Sequence, residues 1–255
     1  MMIRNGFRGT RAGCALFVLA CGAVLQAAES EKTPVLLELF TSLGCSSCPP
    51  ADKLLAEIDR QQPIPGARLI VLSEHVDYWN TPQWSDPFAS ATYTERQQAY
   101  DSRLGVEAYT PQLVIDGSSA LVGGNWAKTA DAIQHMLHGA RIAVHVTATR
   151  QERKAQIDIA AGPSVTANKA IVFLALAHNQ VQSHVGGGEN AGRDLSEVAV
   201  AYSIKQLGKM DGGANFSKSV SIDLPAKSEA GDLRVIAFVR RSDTLQVIGA
   251  DQLVF

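Results

Sequence analysis

The chain has 255 residues, 46% of them hydrophobic, which is long for one domain and comfortable for two at roughly 100–150 residues each. Its 23 basic side chains against 25 acidic ones give a net charge of -2. A nucleic-acid binder carries a basic stripe because phosphate contacts dominate its affinity, and no such stripe is present, so nucleic acid is excluded as a partner.

The first residues read as an export signal. Arg4, Arg8 and Arg11 precede an apolar run from Cys14 to Leu25, and the small residues Ala27 and Ala28 follow. Basic, apolar and small segments in that order mark a secretory signal over 1–28, cleaved near Ala28, and a periplasmic or secreted location. The apolar run is short of the roughly 20 residues that a membrane-spanning helix needs. An uncleaved anchor, or lipidation at Cys21 within Val18-Leu19-Ala20-Cys21, is the alternative, and only these offer a membrane attachment. Cys14 and Cys21 fall inside the signal, so a mature chain keeps Cys45 and Cys48 alone. A bridge closing so short a loop removes little entropy from the unfolded chain, which argues for chemistry rather than stapling.

After the signal, Pro34 to Phe40 is an apolar, strand-like run, and Gly44 turns the chain into the cysteines. Pro49-Pro50-Ala51-Asp52 then opens a helix with Leu54, Leu55 and Ile58 on one face, proline being at home in a first helical turn. Arg68 to Leu72 is a second strand, and residues 86–104 form a polar-faced helix. Thr110-Pro111 introduces strand Leu113 to Ile115, Asp116-Gly117 signals a hairpin turn, and Ala120 to Val122 precedes a helix over Lys128 to Leu137. From Ile142 the period changes to strand alternation, with further strands at Gln156–Ile159, Ala170–Ala177, Ser219–Leu224, Leu233–Val239 and Leu245–Ile248. The expectation is an α/β thioredoxin-like N-terminal domain over 33–140, followed by a mainly β, sandwich-like C-terminal domain over 141–255.

The cysteines sit where a strand ends and a helix begins. A thiolate at Cys45 is favoured there by the unpaired N–H groups and the helix dipole, and the expectation is that Cys45 is exposed and Cys48 more buried. Thr110-Pro111, after the second helix and before a strand, is placed to face the cysteines as a cis proline in a thioredoxin-like sheet. Glu38 is an acid in an apolar strand shortly before the cysteines. A buried carboxylate there takes a proton from Cys48; the other reading has Glu38 pointing to solvent or to a lysine.

Glu38-Leu39-Phe40-Thr41-Ser42-Leu43-Gly44-Cys45-Ser46-Ser47-Cys48-Pro49-Pro50-Ala51-Asp52 resembles the opening motif of the bacterial family called domain of unknown function 1223. The resemblance continues through His75-Val76-Asp77-Tyr78-Trp79, Asp86-Pro87-Phe88, Arg96-Gln97, Tyr109-Thr110-Pro111-Gln112 and Gly188-Glu189-Asn190-Ala191-Gly192-Arg193. It covers nearly the whole mature chain, and it implies a thioredoxin-like fold and export but no established substrate. Ser-Ser between the cysteines, and no tryptophan before them, sets the pattern apart from thioredoxin itself.

These residues lead to an exported thiol–disulfide oxidoreductase. Its redox-active disulfide is Cys45–Cys48, its substrate groove is shaped by Thr110 and Pro111, and Glu38 is a proton acceptor. Its partner is a thiol or disulfide client, protein or small molecule, and it needs no cofactor. Structural zinc lacks a second ligand pair. The alternative is a thioredoxin-fold copper carrier without turnover, using Cys45, Cys48 and His75, since two thiolates and a histidine suit soft copper; otherwise His75 is a hydrogen-bonding residue beside Asp77. A third reading is a binding module with inert thiols. The stretch His184 to Arg193 lacks the ending of a phosphate loop and is either a long connection or a segment bringing His184, Glu189 and Arg193 against the cysteines. Tyr78, Trp79 and Trp84 either wall the cysteines or pack as core.

Overall fold

The computed structural model describes residues 1–2, 32–163 and 169–255, so the expected signal, with Cys14 and Cys21, lies outside the described residues apart from Met1 and Met2. Parallel strands covered on both faces read as continuous apolar runs. Strand β1 (Thr33–Thr41) is such a strand: it pairs in parallel with β2 (Ala67–His75) and antiparallel with β3 (Gln112–Ile115), which in turn pairs with β4 (Ser119–Val122). Successive side chains of a strand point to opposite faces. Val35, Leu37 and Leu39 therefore pack toward α1 (Pro49–Gln61) and α3 (Trp126–Met136). Leu36 and Phe40 pack the other way, against Tyr93 and Tyr100 of α2 (Ala91–Leu104).

Local chemistry sets the helix ends. Pro49 and Pro50 open α1 directly after Cys48. The Ser90 side chain accepts a hydrogen bond from the Thr92 N–H at 3.3 Å, and Gly105, with φ of 67°, ends α2 in the left-handed conformation that glycine adopts without strain. The expected helical start at residue 86 gives way because Asp86 is committed elsewhere, as described below. Asn125 caps α3 through Lys128 N at 3.1 Å. No helix among the described residues is long and apolar enough to cross a membrane.

The expected thioredoxin-like domain followed by a separate sandwich-like domain is not what the chain builds. Among the described residues strand makes up 47% and helix 19%. Strands β7 (Lys169–His184), β8 (Asp194–Asp211), β10 (Leu233–Arg241) and β11 (Val247–Val254) hydrogen-bond into the same sheet as the first four. The result is one mixed eight-stranded sheet in the order β11-β10-β7-β8-β2-β1-β3-β4. The physical reason lies at β2. An uncovered strand edge leaves its N–H and C=O groups without partners, and β8 takes that edge: Ser73 lies opposite Val200, and its hydroxyl donates to Val198 O at 2.9 Å. Core continuity follows, since Phe173, Ala175, Ala177, Ile236 and Phe238 extend the cluster begun by Leu36, Ile70 and Leu72.

A second, antiparallel sheet of β5 (Val144–Gln151), β6 (Lys154–Ala161) and β9 (Phe216–Asp223) packs against the large one, Val144, Ile157 and Ile159 meeting Val172, Leu174 and Val235. The described α-helices all precede Gly139, so the change of period at Ile142 marks the end of helices but not the end of a sheet.

Arg234, at the start of β10, ties the late strands to the first helix. It is 4% exposed and forks onto Asp59 of α1 at 2.8 and 3.0 Å. Removing one partner of a buried pair strands the other charge. Arg234→Ala is expected to cost about 3 kcal/mol of stability, read as a lowered urea midpoint with an unchanged slope; an unaltered midpoint overturns this role.

Candidate functional site

Cys45 and Cys48 form a disulfide, with Cα atoms 5.5 Å apart, between the end of β1 and the start of α1. Cys48 is the N-cap of α1 and already has helical φ and ψ of -76° and -40°. Its carbonyl accepts from Ala51 N at 2.8 Å and Asp52 N at 3.1 Å, so Asp52 lies one helical turn beyond it on the same face. Thr110 donates its hydroxyl toward Cys45 Sγ at 3.4 Å and accepts from Trp79 Nε1 at 2.8 Å, and the Thr110–Pro111 peptide bond is cis. Ser47 Oγ lies 3.3 Å from Cys45 Sγ. The structure thus brings Cys45, Cys48, Thr110 and Pro111 together.

Both cysteines are fully buried, which corrects the expectation of an exposed Cys45. The cover comes from the loop joining β7 to β8. Glu189 N donates to Gly44 O at 3.0 Å, and the Glu189 carboxylate accepts from Ser46 N at 3.0 Å and Ser46 Oγ at 2.6 Å. These hydrogen bonds hold the Glu189 carboxyl below its ordinary value. Asn190, wholly buried, donates its amide to Leu43 O at 3.0 Å and Cys45 O at 2.8 Å, while Arg193 donates to its oxygen at 2.6 Å. Gly188 has φ of 71° and lies so close to Gly44 that a Cβ on it would stand 2.7 Å from the Gly44 Cα. Glycine is therefore required there on two counts. Trp84 packs under Gly186 and Gly187. Of the three residues expected against the cysteine loop, Glu189 touches it directly, Arg193 acts through Asn190, and His184 faces outward to Asp194.

Behind the disulfide lies a buried ionic cluster. His75, at the end of β2, places Nδ1 2.8 Å from Asp86 Oδ2 and Nε2 3.2 Å from Glu197 Oε1 of β8. Burial alone disfavours the imidazolium, but the two carboxylates outweigh it and hold His75 well above its ordinary value. Burial acts on Asp86 in the opposite sense to its partners. The His75 charge and hydrogen bond, with the N–H groups of Phe88 and Leu43, prevail and hold its carboxyl low. Asp86 also accepts from Leu43 N at 2.7 Å and Ser42 Oγ at 3.2 Å, so the cluster shapes the cysteine loop itself. Asp52, 5% exposed, accepts from Thr41 Oγ1 at 2.8 Å; burial, reinforced by Glu197, pushes its carboxyl up to about 7.

Glu38 stands apart from this cluster. It lies on the α2 face of β1, where it pairs with Arg96 and accepts from Tyr100 Oη at 2.7 Å, while α1 covers the opposite face. Its partner is an arginine rather than the solvent or lysine of the simpler expectation. Asp52, Asp86, Asn190 and Glu197 were missed by sequence reasoning. Asp52, Asp86 and Asn190 stand within the quoted motifs but were given no role there, and Glu197 carried no signal in the sequence. His75 meets Asp86, not Asp77, which accepts from Thr94. A copper site does not fit, because both ring nitrogens of His75 face carboxylates and leave no lone pair toward the cysteines. Among the described residues no group of three or more His, Cys, Asp and Glu is arranged to hold a metal.

Fold and site define a mixed-sheet protein with a disulfide at a helix start, closed over by the tip of a long β-hairpin. The chain belongs to the family described as Protein of unknown function (DUF1223), whose model matches residues 36–240. It is similar to a protein of Agrobacterium tumefaciens solved by X-ray crystallography, with 27% identity over 88% of this chain and 95% of that one and a TM-score of 0.65. The sporulation control protein Spo0M of Bacillus subtilis is 11% identical over 46% of this chain and 49% of its own, with a TM-score of 0.33. No curated protein matches the chain.

Asn190 and Glu189 sit side by side but hold the cover differently, and two substitutions separate them. Asn190→Ala takes the amide donor from the buried Leu43 carbonyl and leaves the Cys45 carbonyl with Cys48 N alone, and is expected to cost about 1–3 kcal/mol in a urea titration. Glu189→Ala releases only an exposed clasp: stability is expected to hold while a small thiol reductant opens the disulfide faster, scored by alkylation. Equal reduction rates in Glu189→Ala and the native protein overturn the clasp.

Proposed function

We propose that the protein is an exported thiol–disulfide oxidoreductase working through Cys45 and Cys48. The observation that carries this reading is the disulfide at the start of α1 with the Thr110 hydroxyl directed at Cys45 Sγ. A thiolate formed there is favoured by the N–H groups and dipole of the helix, and the Thr110 hydroxyl donates to it. Cys48, one loop further and capping α1, is within bonding reach of Cys45 and resolves the mixed disulfide. Thr110 and Pro111 flank the approach to Cys45. The client is a thiol or disulfide, and burial of Cys45 favours one that enters as a small molecule or an extended segment once the hairpin tip is displaced.

Trapping decides it. The reduced Cys48→Ser variant, mixed with oxidised glutathione, is expected to accumulate glutathione on Cys45, measured by mass spectrometry. Cys45→Ser is expected to accumulate little, and the native protein is expected to pass to its internal disulfide. Thiols that remain unmodified in all three proteins overturn the proposal.

A further inference from the structure

The buried cluster behind the cysteines is larger than a structural ion pair requires. His75 already has Asp86 as a hydrogen-bonded partner at 2.8 Å. Glu197, 3% exposed, adds a second carboxylate 3.2 Å from His75 Nε2, and Asp52 adds a third, so that three buried carboxyls share one imidazole. With every member ionised the group carries three negative charges and one positive in a space closed to water. An unpaired buried carboxylate is costly, and the ordinary remedy is to keep a proton. Asp52 is the member carried by the helix that Cys48 begins. It follows Cys48 by one turn on the same helix face, and Thr41 Oγ1 fixes its Oδ1 at 2.8 Å. The charged groups facing it from other elements are His75 on β2, Asp86 before α2 and Glu197 on β8; β1 offers only Thr41.

We propose that Asp52 is the proton carrier for Cys48, and that Glu197 is the positioning residue that keeps Asp52 able to hold a proton. The inference rests on the oxidoreductase reading above. In the reduced protein the Cys45 thiolate attacks one sulfur of a client disulfide RS–SR; a Cys45–SR bond forms and RS⁻ leaves. The Asp52 carboxylate then takes the proton of the Cys48 thiol. The resulting thiolate attacks Cys45 Sγ, closing Cys45–Cys48 and expelling the second RS⁻. Two electrons pass from the protein to the client, and the two protons of the cysteine pair, one of them by way of Asp52, balance the two RSH formed. In the reverse direction a client thiolate opens the disulfide and protonated Asp52 supplies the departing Cys48 thiolate. Glu38, bound to Arg96 and Tyr100 on the other face of β1, takes no part.

The test separates the two chemical steps. Reduced full-length protein carrying Cys14→Ser and Cys21→Ser, so that Cys45 and Cys48 are its only thiols, is mixed with 5,5′-dithiobis(2-nitrobenzoate) from pH 5 to 9, and the two equivalents of coloured thiolate are timed; the first reports attack by Cys45 and the second closure by Cys48. Asp52→Asn keeps the Thr41 hydrogen bond and is expected to leave the first step unchanged while slowing the second by roughly 100-fold at pH 7, the usual size of a general-base effect. Glu197→Gln is expected to move the inflection of the second step to lower pH, because Glu197 raises the Asp52 carboxyl. A purely structural role slows both steps alike, and that result overturns the proposal, as does a second step in Asp52→Asn with native rate and pH profile. Failure of the native protein to release a second equivalent overturns the oxidoreductase reading and this one together, and is distinguished by the native protein alone.

Discussion

The side chain of His75, between Asp86 and Glu197, joins β2 to β8 and to the loop that carries the cysteines. Strands β2 and β8 share only the pair Ser73 and Val200, so the sheet that runs from β11 to β4 narrows to a seam at this point. The seam is held by the Ser73 hydroxyl on Val198 O and by the contact of His75 with Glu197. On the other nitrogen of the same ring, Asp86 reaches Leu43 N and Ser42 Oγ and so sets the loop that carries the cysteines. One buried cation therefore couples the register of the sheet to the placement of the disulfide. A neutral isostere at position 75 would leave two carboxylates buried without a counter-charge, a penalty far larger than a single ladder hydrogen bond.

The individual elements between residues 33 and 137 were legible because local signals agree there. The Pro34 to Phe40 run, the Pro-Pro opening of α1 and the Thr110-Pro111 step each point to the element that forms. The assembly was illegible for a reason located in β8. Asp194 to Asp211 mixes Lys205, Lys209, Glu197 and Tyr202 with its apolar residues, because it pairs with β7 along its length while Glu197 is buried against His75 and Tyr202, Lys205 and Lys209 are exposed. Such a strand has no clean two-residue period. Without it, β7, β10 and β11 read as a separate layer, whereas β8 makes them an extension of the first sheet. Glu38 shows the same limit at the level of one residue. Its position in the chain is adjacent to the cysteines, but alternation along β1 places it on the far face, and Asp52, fourteen residues later, occupies the near one. Distance along a strand does not report which face a side chain serves.

In the proposed oxidoreductase the hairpin tip and the ionic cluster answer opposite needs of the disulfide. Full burial of Cys45 and Cys48 protects the bond from casual thiols, and the tip achieves it with two kinds of contact. Asn190 binds the carbonyls of Leu43 and Cys45 from inside the protein, where no water competes, whereas Glu189 binds Ser46 at the surface, where water does. The outer contact is the weaker of the two, since exposed polar pairs contribute little against solvent. The cover is thus hinged on its buried side and latched on its wet side, over Ser46 and Ser47, the residues between the cysteines. In the proposed reaction the cluster beneath it supplies Asp52, one helical turn beyond Cys48, to carry the proton of the sulfur that leaves or attacks. A site that excludes water from a reacting disulfide has to supply its own route for the proton, and on the proposed reading the surplus carboxylates around His75 meet that requirement.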